Sequence, residues 1–261
     1  MAGSGPLMLW LIGGTSDSRT LAQALDRAGL PWIATVVNPA AARLYDGLNG
    51  VVRSGAFAPA DLMPWLADRA IRGIIDASHP FATEISQQAI AAAALRSIPY
   101  LRFERPAIPL EPPALKLPNL AAALCDRFLR DRLVLFTLGV KALPQILPWR
   151  DRVAALWVRV LPESVAQAIA LGFDRSEVIG QRLPVDPAQE RADWQNRAIE
   201  VVVTKAAGAA GGLDLKQALA RELGVQLLVI DRPSIVYPAQ TDQIDEVVAF
   251  AHRAIDLRSS Y

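Results

Sequence analysis

Cysteine is almost missing from this 261-residue chain: Cys125 stands alone, which excludes an intrachain disulfide and any site built from several thiolates. Histidine is nearly as scarce, with only His79 and His252, so no metal site is expected, although carboxylates alone can hold magnesium. No stretch approaches the roughly 18 to 20 uninterrupted apolar residues that cross a bilayer. The small, uncharged N-terminus followed by Leu7–Ile12 is too short and wrongly flanked for a signal peptide. These absences predict a cytoplasmic protein with no membrane partner. A net charge of +1 offers no basic surplus for nucleic acid, so no nucleic-acid partner is expected either. Lysine is rare too, limited to Lys116, Lys141, Lys205 and Lys216; the other basic residues are arginines, the better bidentate partners for carboxylate and phosphate. Codon bias produces the same excess, so this balance alone names no ligand.

What the chain has in quantity is apolar residues, 52% of the total, in short runs that alternate with amphipathic stretches. Met8–Ile12, Trp32–Val37, Gly73–Asp76 and Tyr100–Phe103 read as strands, with helices at Pro59–Arg69 and Thr83–Arg96. Five prolines, Pro106, Pro109, Pro112, Pro113 and Pro118, then deny the backbone regular structure. A second series follows, with strands at Leu133–Thr137, Val153–Val160, Ala198–Thr204 and Gln226–Ile230. Helices are expected at Pro162–Leu171, Pro187–Arg197, Leu213–Leu223 and Thr241–Ile255. The predicted fold is α/β: two Rossmann-like lobes with parallel sheets flanked by helices and an active-site cleft between them. The boundaries are 1–105 for a dinucleotide-binding lobe, 106–118 for a proline-rich linker and 119–261 for a second lobe.

The first strand ends in Gly13-Gly14-Thr15 and opens a helix, a place where backbone N–H groups, a hydroxyl and the positive end of a helix dipole converge on an anionic phosphate. The full G-x-G-x-x-G spacing is lacking, and a plain tight turn needs glycine as well. The second strand runs into Val37-Asn38-Pro39, with Arg43 soon after and no acidic residue to hold a ribose 2′-hydroxyl. A neutral amide and a guanidinium suit the 2′-phosphate of NADP. No tyrosine is followed four residues later by lysine, which disfavours a short-chain carbonyl reductase and leaves reduction of carbon–carbon or carbon–nitrogen unsaturation more attractive. Cys125 reads as a small core residue inside an apolar helix, and His252 as structural.

Four segments, in this order and spacing, resemble the precorrin-6A reductase family of corrin-ring biosynthesis. They are Leu11-Ile12-Gly13-Gly14-Thr15-Ser16-Asp17-Ser18-Arg19; Asp76-Ala77-Ser78-His79-Pro80-Phe81-Ala82; Tyr100-Leu101-Arg102-Phe103-Glu104-Arg105-Pro106; and Val203-Thr204-Lys205 through Gly208, Gly211-Gly212 and Lys216 to Ile230-Asp231-Arg232-Pro233. The match is thin over 116–195. Ala206-Ala207 replaces the polar or acidic residue and serine of the family pattern, and Gly180-Gln181-Arg182-Leu183 replaces its glycine-proline-phenylalanine, so no role is assigned there.

The resemblance implies hydride transfer from NADPH to precorrin-6A or its cobalt-containing counterpart, a tetrapyrrole bearing many carboxylates, with transient contact to neighbouring pathway enzymes. It implies a cofactor site at Gly13, Gly14, Thr15, Asp17, Arg19, Asn38, Arg43, Gly55, Ser78 and His79, with His79 the one candidate acid. Substrate carboxylates would meet Arg102, Arg105, Lys205, Gly211, Gly212, Lys216 and Arg232, although each of these cations could instead be an ordinary surface charge or an ion-pair partner of Asp76, Glu84 or Glu104. Two other functions fit the same residues: a non-enzymatic NADP(H)-binding redox sensor, and a reductase of another polycarboxylated conjugated substrate.

Overall fold

The computed structural model describes residues 7–58 and 60–256. The chain divides into two units, one running to Pro106 and resuming at Ser234, the other Ala107–Pro233.

In the first unit six parallel strands are β1 (Met8–Ile12), β2 (Trp32–Val36), β3 (Val51–Ser54), β4 (Ile71–Asp76), β5 (Tyr100–Phe103) and, far along the chain, the two-residue Gln240–Thr241 strand, which pairs with Arg102 and Phe103 of β5. Their order is Gln240–Thr241, β5, β4, β1, β2, β3. The chain winds outward from β1 through β2 to β3, then returns to the other side of β1 for β4, so the carboxyl ends of β1 and β4 flank the point where the winding reverses. Strand β2 is buried at all five residues because helices and loops cover both faces of the sheet, which is why its sequence is a continuous apolar run broken only by Thr35. The buried Thr35 hydroxyl accepts the Trp10 indole N–H at 2.8 Å.

The helix Ser16–Arg27 starts at Thr15, whose hydroxyl accepts the Ser18 N–H while the Ser18 hydroxyl accepts the Thr15 N–H, a reciprocal cap. It buries Leu21, Ala22 and Leu25 at helical spacing. The final helix, Ile244–Asp256, packs Val247, Ala251 and Ala254 into that same core. It comes so close that a Cβ on Gly73 would lie 2.8 Å from the Ala254 Cβ.

The expected assignment of everything after 118 to one second lobe therefore differs from the observed chain path. The C-terminal helix has its apolar stripe, but nothing local in the sequence says which sheet that stripe covers. The helix also begins later than expected, at Ile244, because Gln240–Thr241 is extended.

The second unit repeats the plan with β6 (Ala114–Leu117), β7 (Leu133–Phe136), β8 (Ala155–Val160), β9 (Val178–Gly180), β10 (Val201–Lys205) and β11 (Gln226–Ile230), again all parallel, in the order β6, β11, β10, β7, β8, β9. Here the winding reverses between β7 and β10. Strand β6 lies within the stretch expected to be a linker: its four residues carry no proline, and as an edge strand it tolerates Pro113 and Pro118 on either side. Leu135, Val202, Leu227, Val229 and Trp194 lie in one buried cluster. Cys125, expected inside a helix, instead precedes the short turn Asp126–Leu129 in extended conformation and is half-buried.

Candidate active site

In the first unit the β1 turn is built around a tyrosine. The Tyr45 hydroxyl accepts the Gly14 N–H at 3.0 Å and lies 2.7 Å from the Ser18 hydroxyl. Burial, opposed by these two hydrogen bonds, raises its pKa, so it stays protonated. This is why residue 13 is glycine: a Cβ there would sit 2.0 Å from the tyrosine oxygen. The Gly13 N–H is spent on the Thr35 carbonyl. Of the donors expected at this turn, the Gly13, Gly14 and Thr15 N–H groups thus all have internal partners. The N–H groups of Ser16 and Asp17, one step into the helix, have no acceptor among the described residues, and they sit at the positive end of its dipole.

The Thr15 hydroxyl donates to the Ala77 carbonyl at 2.8 Å, tying the β1 turn to the β4 turn across the reversal point. In an open α/β sheet this is where ligands bind. Asp17 pairs with Arg105 at 2.5 Å, which neutralises a carboxylate at the helix entrance. Arg19 donates to the Leu44 carbonyl and so holds the loop that carries Tyr45, rather than reaching outward. Asn38 accepts the Ala40 N–H and starts the 3-10 helix Pro39–Tyr45. The Arg43 side chain on that helix is exposed, with no hydrogen bond or ion pair among the described residues, while its carbonyl accepts the Asp46 N–H. Gly55, at φ +102°, follows β3 and donates to the Val36 carbonyl, so the ends of β2 and β3 are drawn together beside Asn38.

Beneath the β4 turn lies a buried polar network. Asp76, fully buried, accepts four hydrogen bonds: from the Ser78 N–H (3.0 Å) and Arg102 (2.9 Å) on one oxygen, and from the Ser86 and Tyr100 hydroxyls (both 2.6 Å) on the other. Burial and then the Asp76 charge push the Tyr100 pKa far above its ordinary value, so it remains a donor. Arg102 is 1% exposed and also meets Glu104 and the Ser78 hydroxyl, with its guanidinium over the Tyr237 ring. Burial alone would lower its pKa, but Asp76, Tyr237 and Glu104 more than reverse that. A substrate-gripping role expected for Arg102 therefore meets an obstacle: its charge is internally paired, because a charged residue in a strand covered on both faces has to find partners indoors. His79 is exposed, and its Nδ1 accepts the Phe81 N–H at 3.2 Å, which leaves Nε2 as the hydrogen-bearing nitrogen of the neutral ring.

In the second unit the end of β10 carries the expected cations. Lys205 donates to the Leu138 carbonyl at 2.8 Å, and burial together with Lys141 lowers its pKa. Arg232 donates to the Ala206 carbonyl at 2.9 Å. Gly208 and Gly212 adopt φ of +73° and +66°, and Gly211 has no room for a Cβ, which would meet Ala207 at 2.5 Å. Lys216 is 4% exposed and donates to the Gly211 and Gly212 carbonyls. Its pKa is pushed down to about 8, by burial first. The residues that sequence reasoning passed over are Tyr45, Tyr100, Tyr237, Arg159 and Glu190. For Arg159 a signal was available, an arginine inside the apolar run Leu156-Trp157-Val158-Arg159-Val160.

Over residues 8–252 the chain matches the family model described as precorrin-6x reductase CbiJ/CobK. It belongs to that family. The cobalt-precorrin-6A reductase of Synechocystis sp. is 39% identical, over 94% of this chain and 96% of its own. That of Priestia megaterium is 32% identical, over 92% and 96%. The precorrin-6A reductase of Rhodococcus erythropolis is 34% identical, over 91% and 93%. A solved CobK precorrin-6A reductase shares the fold, with a TM-score of 0.76 at 24% identity across 95% of this chain and 97% of that one. The two parallel sheets flanked by helices are thus a fold that this chain shares with that solved reductase. Among the described residues no helix is long and apolar enough to cross a membrane.

Proposed function

We propose that this chain reduces the macrocycle of cobalt-precorrin-6A or precorrin-6A with NADPH, in cobalamin biosynthesis. The observation that carries the cofactor half is the Thr15–Ala77 bond, which holds the two turns at the reversal point of the first sheet beside the Ser16 and Asp17 N–H groups. Those donors and the helix dipole suit a pyrophosphate. The Arg43 guanidinium, exposed and without an internal partner among the described residues, suits the 2′-phosphate, and Asn38 starts the helix that carries it. When bound, NADPH supplies the hydride. The chain's task is to bind, orient and shield. Ser78 and His79 stand on the turn that Asp76 braces, where the Nε2–H of His79 is a donor for a pyrophosphate or a substrate carboxylate. Lys205, Arg232 and Lys216 supply cations for the acetate and propionate arms. Arg102 acts from below as a positioning residue.

The test is oxidation of NADPH by the purified protein with each ring form supplied separately, NADH as the control cofactor, and mass spectrometry of the product. A gain of two hydrogens with one ring form supports the proposal; NADPH binding without reduction of either refutes it and favours the sensor. In the same assay Arg43→Ala should raise the KM for NADPH by about 10- to 100-fold, the worth of one charge-assisted phosphate contact, and leave that for NADH unchanged.

A further inference from the structure

Arg159 near the end of β8 is 7% exposed and sits in a buried cluster that the site above does not use. Its Nη1 lies 2.9 Å and 2.8 Å from the two carboxylate oxygens of Glu190, which also accepts the Trp194 indole N–H at 3.0 Å. The other two nitrogens of the guanidinium, Nε and Nη2, are buried and have no hydrogen-bond partner among the described residues, and Glu190 Oε2 makes only the ion contact with Nη1. That leaves three of the guanidinium's five N–H donors unmade, and buried donors are ordinarily satisfied. Gln181 follows β9, two residues beyond Ile179, which faces Arg159 in the β8–β9 register, so the two side chains share a face. Its Oε1 is likewise buried without a donor, and turning the amide presents an N–H at the same place. Lys216 is close enough for Arg159 and Glu190 to act on its charge. Two of its three N–H donors go to the Gly211 and Gly212 carbonyls, and among the described residues no carboxylate is within ion-pair distance.

The cluster thus holds two buried cations against one buried carboxylate. An Nε–H and an Nη2–H project in parallel from one edge of a guanidinium, the spacing of two carboxylate oxygens. We infer that Arg159, Lys216 and Gln181 form a subsite for one carboxylate arm of the tetrapyrrole, an assignment that rests on the function proposed above for the identity of its ligand. The arm takes the Nε/Nη2 edge of Arg159 and the third donor of Lys216, while Glu190 keeps the opposite corner of the guanidinium in place. Solvent does not reach the orphan nitrogens in this structure, so the segment covering them moves aside when the arm binds. The lowered pKa of Lys216 fits a cation waiting for its counter-ion: a bound carboxylate would raise it again.

The experiment separates this subsite from the reaction. Thermal melts of the intact protein are recorded with sodium propionate, with inorganic phosphate and with sodium chloride at equal ionic strength. Propionate at ten times its Kd should raise the Tm by about 3 °C over chloride. The shift should vanish in Arg159→Lys, which keeps the charge facing Glu190 but loses the edge, and in Lys216→Met, which removes the second cation without leaving an unpaired charge. In both folded variants the KM for the tetrapyrrole should rise about tenfold or more while the Kd for NADPH stays within twofold. No propionate shift in the wild type, a shift kept in both variants, or a larger shift with phosphate through the same residues overturns the subsite, even if the tetrapyrrole is reduced. A propionate shift lost in the variants, in a protein that reduces no tetrapyrrole, leaves the carboxylate site standing and removes the proposed reaction instead.

Discussion

Replacing Asp76 by asparagine is the sharpest test of the idea that Arg102 braces the site from within. Asp76 gives one oxygen to Arg102 and the Ser78 N–H, and the other to the Ser86 and Tyr100 hydroxyls. In Asp76→Asn the guanidinium keeps Glu104 at 3.0 Å, and the two hydroxyls can turn to accept from the new amide. Breaking a buried ion pair from one side costs about 3–5 kcal/mol; the surviving Glu104 contact puts this case near about 3. At roughly 2–4 °C per kcal/mol for a chain of this size, Tm should fall by about 6–12 °C.

Arg102→Met should cost a similar amount, and the double variant less than both together, with a coupling of about 2 kcal/mol in a denaturation cycle. NADPH and tetrapyrrole affinities, measured on folded protein, should weaken together, because both depend on the Ser78–His79 turn. A coupling below about 0.5 kcal/mol, or a loss confined to the tetrapyrrole with Tm unchanged, would refute the bracing role and return Arg102 to direct contact with substrate.

Gly13→Ala should lower both Tm and NADPH affinity, since its Cβ collides with the Tyr45 hydroxyl; adding Tyr45→Phe removes that oxygen and should recover part of the Tm, as read by melting the single and double variants. Thr15→Val should cost about 1 kcal/mol in denaturant unfolding through the lost cap, with a further fall in NADPH affinity from the lost tie to Ala77. Lys216 titrates near 8 when folded and near 10.5 when unfolded, so below pH 8 both states are protonated and a burial penalty of roughly 3 kcal/mol is fully present. Between 8 and 10.5 the unfolded chain binds more protons, and this group makes stability rise with pH. In chemical denaturation across that window Lys216→Met should flatten the rise, and at pH 7 it should be the more stable protein.

Much of the first unit was legible because its signals are local. The apolar run before Gly13, the helical spacing of Leu21, Ala22 and Leu25, and the Ser78-His79-Pro80 turn each declare themselves within about ten residues. What escaped depends on partners far apart in the chain. Strand β6 looked like linker because prolines surround it, and it is a strand only because β11, more than a hundred residues later, lies alongside. For Arg102 the sequence offers both substrate carboxylates and an ion pair with Asp76 or Glu104, and only the fold, which buries its guanidinium against Asp76, Glu104 and Tyr237, selects the inward pairing. Tyr45 was considered only as one half of a catalytic pair. Its place under the glycine turn follows from Gly13 having room for nothing else.

Since the final helix completes the core of the first unit, the chain cannot finish that unit until its last segment has been made. During synthesis the stretch from Ala107 to Pro233 is available in full while the first sheet still lacks the covering provided by Val247, Ala251 and Ala254. The later-synthesised half is therefore the one able to fold first, and the nascent N-terminal sheet waits with an apolar face exposed. A stop codon before Ile244 would accordingly damage the half of the molecule made earliest.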